Sequence, residues 1–271
     1  MRAVRQDADI RPAAVAGAFY AADADRLRQD VASFLAAVPE CARPAPQALI
    51  APHAGYIYSG PVAAHAFAAL RDSASAPPRV VVIGPAHYVA VRGIAIPTAS
   101  AFATPLGRVP VDREALARVA DLPCVVAADA PHAPEHALEV ELPFLQCVLG
   151  SFALVPLLVG DAAPEEVDAV LERVWDESLI IVSSDLSHYL DHAAAQRRDA
   201  ATAATIERRD WAALGPNDAC GFLAVAGMLR QAARRGLSAE RLSLKNSGDT
   251  AGPRDRVVGY GAWAFAAATD S

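Results

Sequence analysis

Three strand-like apolar runs in this sequence each lead directly into a histidine: Ala48-Leu-Ile-Ala-Pro-His53, Val80-Val-Val-Ile-Gly-Pro-Ala-His87 and Leu179-Ile-Ile-Val-Ser-Ser-Asp-Leu-Ser-His188. Each reads as a buried, parallel-type strand whose following loop presents an imidazole. That loop lies past the carboxyl end of the strand, the edge at which open α/β sheets bind ligands. An imidazole titrates near neutral pH and, when neutral, is a common metal ligand. Three of them at one edge of one sheet can converge on a metal or a substrate.

The surroundings of these histidines supply further candidates. In Ala51-Pro-His-Ala-Gly-Tyr56 proline ends the strand and glycine lets the chain turn; Gly84-Pro-Ala-His-Tyr88 repeats the design. Tyr56 and Tyr88, each close behind a histidine, are candidates to line a pocket. Asp185 stands three residues before His188 and could orient that imidazole or fix its tautomer, with His188 as general acid/base. In Pro134–Pro143, a helix from Glu135 would put Glu135, Leu138 and Glu139 on one face, with His136 about a quarter-turn away. Glu139 or His136 could then reach the site from behind; the alternative is an acidic first helical turn that merely suits the macrodipole. The polar turn Asn246–Gly252 offers Asp249 as a spare anionic ligand. His132 and His192 read as surface residues, and His65 as a packed one.

Two neutral histidines and one carboxylate with open positions suit non-haem iron(II) and oxygen chemistry. The same donors could hold zinc and activate water. A serine nucleophile is disfavoured, because the chain has no Gly-x-Ser-x-Gly elbow.

The elements that must position these residues alternate. An amphipathic helix at 23–38, a strand ending at His53, a helix over 60–70 and a strand at 79–84 come first. Weakly alternating short strands over 91–111, read as antiparallel or edge strands, and a helix capped by Asp112 follow. Then come a helix within 139–149, strands at 152–158 and 179–183 separated by a helix at 164–175, helices within 193–236, and closing strands at 242–245 and 257–265. Such alternation predicts an α/β fold with a mainly parallel central sheet covered by helices. With 271 residues, 54% hydrophobic, and no long linker, residues 1–271 read as one domain. The net charge of −7 and the scatter of the 24 basic residues argue against nucleic acid or an anionic membrane as partner. No stretch approaches ~18 uninterrupted apolar residues, the N-terminus lacks a signal-peptide core, and the four cysteines form no Cys-x-x-Cys pair. A cytoplasmic protein with reduced thiols is expected.

The ordered set Gly17-Ala-Phe-Tyr20, Ala51–Tyr56, Gly84–His87, Glu135–Phe144, Val155–Gly160, Ser183–His188, Cys220-Gly221 and Val258–Tyr260 resembles the Memo family, whose bacterial members are also called AmmeMemoRadiSam system protein B. The resemblance implies a class III extradiol dioxygenase-like fold and a non-haem iron(II) site, with copper, zinc or no metal as alternatives. It places His53 and His87 as metal ligands and His188 as acid/base, accompanied by Asp185. The dioxygenases complete the set with glutamate, and animal Memo proteins with a late cysteine. The stretch taken to correspond, 246–252, holds no cysteine, so Asp249 becomes the expected third ligand, while Cys220 is assigned to another family position. The resemblance further implies a small-molecule or peptide ligand, and partnership with radical-SAM and AMMECR-type proteins.

Overall fold

Strands β2 (Ala48–Ala51), β3 (Arg79–Pro85), β8 (Ala153–Val159) and β9 (Ser178–Ser183) form the centre of the molecule, and nearly every residue in them is buried. Strands covered on both faces have no solvent side to alternate with, which is why they read as unbroken Val/Ile/Leu runs. Each fully buried Val, Leu or Ile contributes roughly 1.5–3 kcal/mol. The computed structural model describes residues 9–71, 79–176 and 178–267.

The other strands are β1 (Ile10–Arg11), β4 (Ile94–Ile96), β5 (Ala101–Thr104), β6 (Gly107–Pro110), β7 (Val125–Ala127), β10 (His188–Leu190), β11 (Leu237–Asn246) and β12 (Val257–Ala267). The main sheet runs β10-β12-β2-β9-β3-β8-β4-β7 with β11 on the free side of β12; β1, β5 and β6 make a small separate sheet. The core β2-β9-β3-β8 is parallel. Its flanks are not: β12 pairs antiparallel with β2, β10 and β11, and β4 antiparallel with β8. The sheet is therefore mixed: parallel at the centre, antiparallel where β12 and β4 join it, and parallel again in the edge pair β4–β7.

The helices are α1 (Ala24–Ala36), α2 (Tyr56–Ala68), α3 (Arg113–Ala117), α4 (Leu142–Leu149), α5 (Pro164–Val174), α6 (His192–Glu207), α7 (Phe222–Arg234) and the single turn α8 (Ser247–Thr250). The connections β2-α2-β3 and β8-α5-β9 cross the sheet in opposite directions, so right-handed crossovers place α2 and α5 on opposite faces. Helices α1 and α4 pack with α2, and α7 packs with α5 over β3 and β9. Helix α2 starts a turn earlier than its proline suggests: Gly55 is the N-cap and Pro61 lies inside. Residues 135–138 are not helical; a short 3-10 turn at Glu139–Glu141 leads into α4. Among the described residues, no helix is long and apolar enough to cross a membrane.

Candidate metal centre

The carboxyl ends of β2, β3 and β9 lie side by side, and the loops beyond them meet in an open cavity of about 770 Å³. His53 follows β2 by two residues and His87 follows β3 by two. His136 reaches the same place from the loop before the 3-10 turn. Ring centroids are 5.2 Å apart for His53–His87 and for His53–His136, and 4.7 Å for the stacked pair His87–His136. One nitrogen from each of the three lies within 4.8 Å of the other two.

The hydrogen bonds behind the rings decide which nitrogens face the cavity. Ser183 Oγ lies 2.8 Å from His53 Nδ1, 2.7 Å from the Ala137 carbonyl and 2.8 Å from Glu141 Oε1. A hydroxyl has one hydrogen and accepts the rest. The carbonyl can only accept, so it takes the hydroxyl hydrogen, and both His53 Nδ1–H and Glu141 must donate to Ser183. Burial drives Glu141 the required way, pushing its carboxyl well above the usual carboxylate range so that it is protonated. His53 is thereby fixed with its proton on Nδ1 and a lone pair on Nε2. Burial, then the neighbouring His136 and His87, hold it neutral by pushing its pKa well below the ordinary value.

His87 is fixed by a carboxylate. Glu135 accepts from His87 N–H at 2.6 Å and from His87 Nδ1 at 2.9 Å, and also from the backbone N–H groups of His136 and Ala137, both at 3.0 Å. Although burial opposes ionisation, hydrogen bonds from His136, His87 and Ala137 outweigh it and hold Glu135 far below the usual carboxylate range. His136 Nδ1 is 3.2 Å from the same Glu135 oxygen yet is misaligned, and it stands among the buried atoms without a hydrogen bond. Carboxylates and hydroxyls behind histidines are how proteins set the tautomer and ring direction of metal ligands. The donor set suits a metal: three imidazoles gathered at one place, His53 fixed with its lone pair on Nε2 and His87 turned with Nδ1 toward Glu135, which leaves its Nε2 for a ligand.

Cys220 joins this group. Its Sγ is 3.3 Å from His53 Nε2, and burial pushes the thiol up to about 12, so it donates to that nitrogen. Gly221 permits the approach: a Cβ there would sit 2.8 Å from Ser184 Cβ and 3.0 Å from the Ser183 carbonyl. Asp185 and His188 line the cavity, but they are not paired with each other. Asp185 accepts from His53 N–H at 2.9 Å, and burial raises its pKa to about 7. His188 Nδ1 donates to the Leu186 carbonyl at 2.8 Å, so that carbonyl, not Asp185, sets its tautomer and leaves Nε2 free. Burial lowers the pKa of His188.

Tyr88 lines the cavity and is 56% exposed. Three candidates from the sequence lie elsewhere. Asp249 is bound by His192 Nε2 at 2.7 Å and accepts from Asn246 N–H within its own turn, so it faces away from the histidines, although Ser247 and Gly252 of that stretch reach the cavity. Tyr56 is buried against Phe144 and donates to the Val140 carbonyl at 2.8 Å. Glu139 is fully buried, clasped by Arg11, by the Tyr20 hydroxyl and by the N–H groups of Ala14 and Val15. His132, expected at the surface, is 1% exposed.

A family model described as Memo, Memo-like protein, matches residues 11–264. Curated relatives named MEMO1 family protein include one from Ignicoccus hospitalis, 36% identical over 94% of this chain and 98% of its own. Another, from Thermotoga neapolitana, is 35% identical over 93% and 98%, and one from Sulfolobus acidocaldarius is 34% identical over 93% and 97%. The chain belongs to the Memo-like family.

Proposed function

We propose that this protein holds a transition metal, iron(II) in the first instance, through His53, His87 and His136, with the Cys220 thiol beside them. The metal, when bound, would supply redox chemistry between oxygen and a small molecule admitted by the open side of the cavity, as in class III extradiol dioxygenases. The observation that carries the reading is the pre-set tautomer of two histidines, His53 through Ser183 and His87 through Glu135. Structural histidines have no need to gather ring nitrogens within 4.8 Å of one another at the edge of a cavity.

His188, with Nδ1 occupied by a carbonyl and Nε2 free, is the acid/base of this scheme; its lowered pKa leaves it able to accept a proton at neutral pH. Asp185 fixes the backbone of the His53 loop and stands ready to take a proton near pH 7. Imidazole and thiol donors without a carboxylate also suit zinc and copper.

The test is metal content after anaerobic purification of the wild type, the His53→Ala/His87→Ala double variant and Asp249→Asn. Near-stoichiometric iron in the wild type and Asp249→Asn, absent from the double variant, is expected. Copper or zinc in its place would reassign the metal, and activity with zinc in the absence of oxygen would turn the chemistry to hydrolysis. No metal in any of the three, even after iron, copper or zinc is supplied, overturns the proposal and leaves the cavity as a binding site for a small molecule or peptide.

A further inference from the structure

The part of the cavity lining supplied by β10 and the start of β12 is built around a backbone irregularity. Strand β10 pairs with β12 through His188↔Val258 and Leu190↔Val257, two residues against one, so Tyr189 is the extra residue of a bulge. It sits at φ 63°, a left-handed conformation costly for a residue with a Cβ. Bulges re-aim side chains and cluster beside functional sites. Here the Tyr189 ring lies under Arg256, whose guanidinium carbon is 4.3 Å from the ring centroid.

Arg256 is the one Lys or Arg among the residues lining the cavity, and it makes no ion pair among the described residues. A guanidinium held over an aromatic face keeps its N–H donors for a ligand at its edge. The lining of the same cavity also includes the aromatic residues Phe19, Tyr58, Tyr88 and Tyr260. One fork-shaped cation among aromatic walls matches one planar carboxylate carried on a flat, apolar body; a guanidinium binds carboxylate through two parallel hydrogen bonds. The volume suits a small molecule.

We propose that the ligand of this cavity is a small aromatic carboxylate whose acid group is paired by Arg256, held in place by the Tyr189 bulge. The inference rests on the reading of the cavity as a substrate site next to a metal centre, and it names the substrate class. Arg256 grips the acid end, which leaves the ring to face the histidines and His188.

The test is binding of benzoate, benzamide and phenyl phosphate to the full-length protein by calorimetry and ligand-observed NMR, both metal-loaded and after chelator treatment. Wild type, Arg256→Met, Arg256→Lys and His53→Ala are compared. Benzoate is expected to bind wild type in both states, to weaken about tenfold or more in Arg256→Met and to be partly restored by Arg256→Lys. Benzamide is expected to bind weakly and equally to wild type and Arg256→Met. Benzoate binding retained in Arg256→Met, or lost on metal removal while Arg256 is intact, places the carboxylate elsewhere and overturns the proposal. Phenyl phosphate binding more tightly than benzoate through Arg256 overturns the carboxylate assignment. Benzoate bound through Arg256 by a wild type that takes up no metal sinks the metal reading and leaves this one standing. Metal uptake without benzoate binding does the reverse.

Discussion

Replacing Glu135 by glutamine tests whether the cluster is ordered from behind. The carboxylate takes four hydrogen bonds, from His87 N–H and Nδ1 and from the N–H groups of His136 and Ala137. A glutamine of the same shape has one accepting oxygen, so its NH2 group must face a donor. Placed toward the Oε2 position it meets His87 N–H alone; placed toward Oε1 it meets three donors. The first orientation wins, and one buried donor left unsatisfied costs ~1–3 kcal/mol of stability. The Nδ1–H of His87 keeps an acceptor but loses the negative charge, and loss of such a partner lowers metal affinity about 10–100-fold. That range corresponds to ~1.4–2.7 kcal/mol. Chelator-competition titration at pH 7 measures the affinity, and thermal unfolding of the metal-free protein measures the stability. A folded, modestly destabilised Glu135→Gln with 10–100-fold weaker metal binding is expected. An unchanged metal affinity in a folded variant would refute the idea that Glu135 sets the ligand geometry.

Two further outcomes follow from the same hydrogen-bond accounting. Ser183→Ala removes the oxygen that holds His53 Nδ1–H and leaves Glu141 and the Ala137 carbonyl without their partner; a loss of ~1–3 kcal/mol in denaturant unfolding and weaker metal binding are expected. His132 is buried with Nε2 donating to the Ala95 carbonyl, and desolvation lowers its pKa to about 4. Between about pH 4 and its unfolded value near 6.5 the unfolded chain binds a proton that the folded chain does not, so stability rises with pH across that window. Unfolding free energies of wild type and His132→Asn from pH 4 to 7 check this, and an equal slope in both would contradict it.

The strands and their histidines were legible because both are local signals. Apolar runs without alternation mark strands covered on both faces, and a histidine two residues beyond Ala51 or Pro85 keeps its place whatever packs around it. Around His136 the local signal misled. A helical wheel assumes that backbone N–H groups are spent on carbonyls, but Glu135 uses its own side chain to cap the N–H groups of His136 and Ala137, holding the segment out of the helix. Where residues 220 and 249 lie was hidden for a different reason. Asp249 meets His192, 57 residues away, and Cys220 meets His53, 167 residues away. Spacing along the chain carries neither distance. The weak alternation over 91–111 did mark antiparallel or edge strands, but the antiparallel pairing of β12 was hidden in the same way, since a strand's direction against its neighbour is set by the path of the connection and not by its own residues.

The three imidazoles are not equally prepared, and this ranks them. His53 is clamped by Ser183, and His87 by Glu135 at 2.9 Å in good alignment. His136 Nδ1 has the same carboxylate at 3.2 Å without alignment, so its ring must turn before it can both use Glu135 and present Nε2 to a metal. A ligand that must rotate on binding contributes less net affinity than one already in place. Metal affinities should therefore fall more in His53→Ala and His87→Ala than in His136→Ala. In the metal-loaded protein His136 Nδ1 should form the aligned bond to Glu135 that it lacks without metal, visible as a new hydrogen-bonded imidazole N–H resonance. Equal losses in all three variants would mean that the misalignment costs nothing. A larger loss in His136→Ala would mean that the rigid pair is built for something other than a metal.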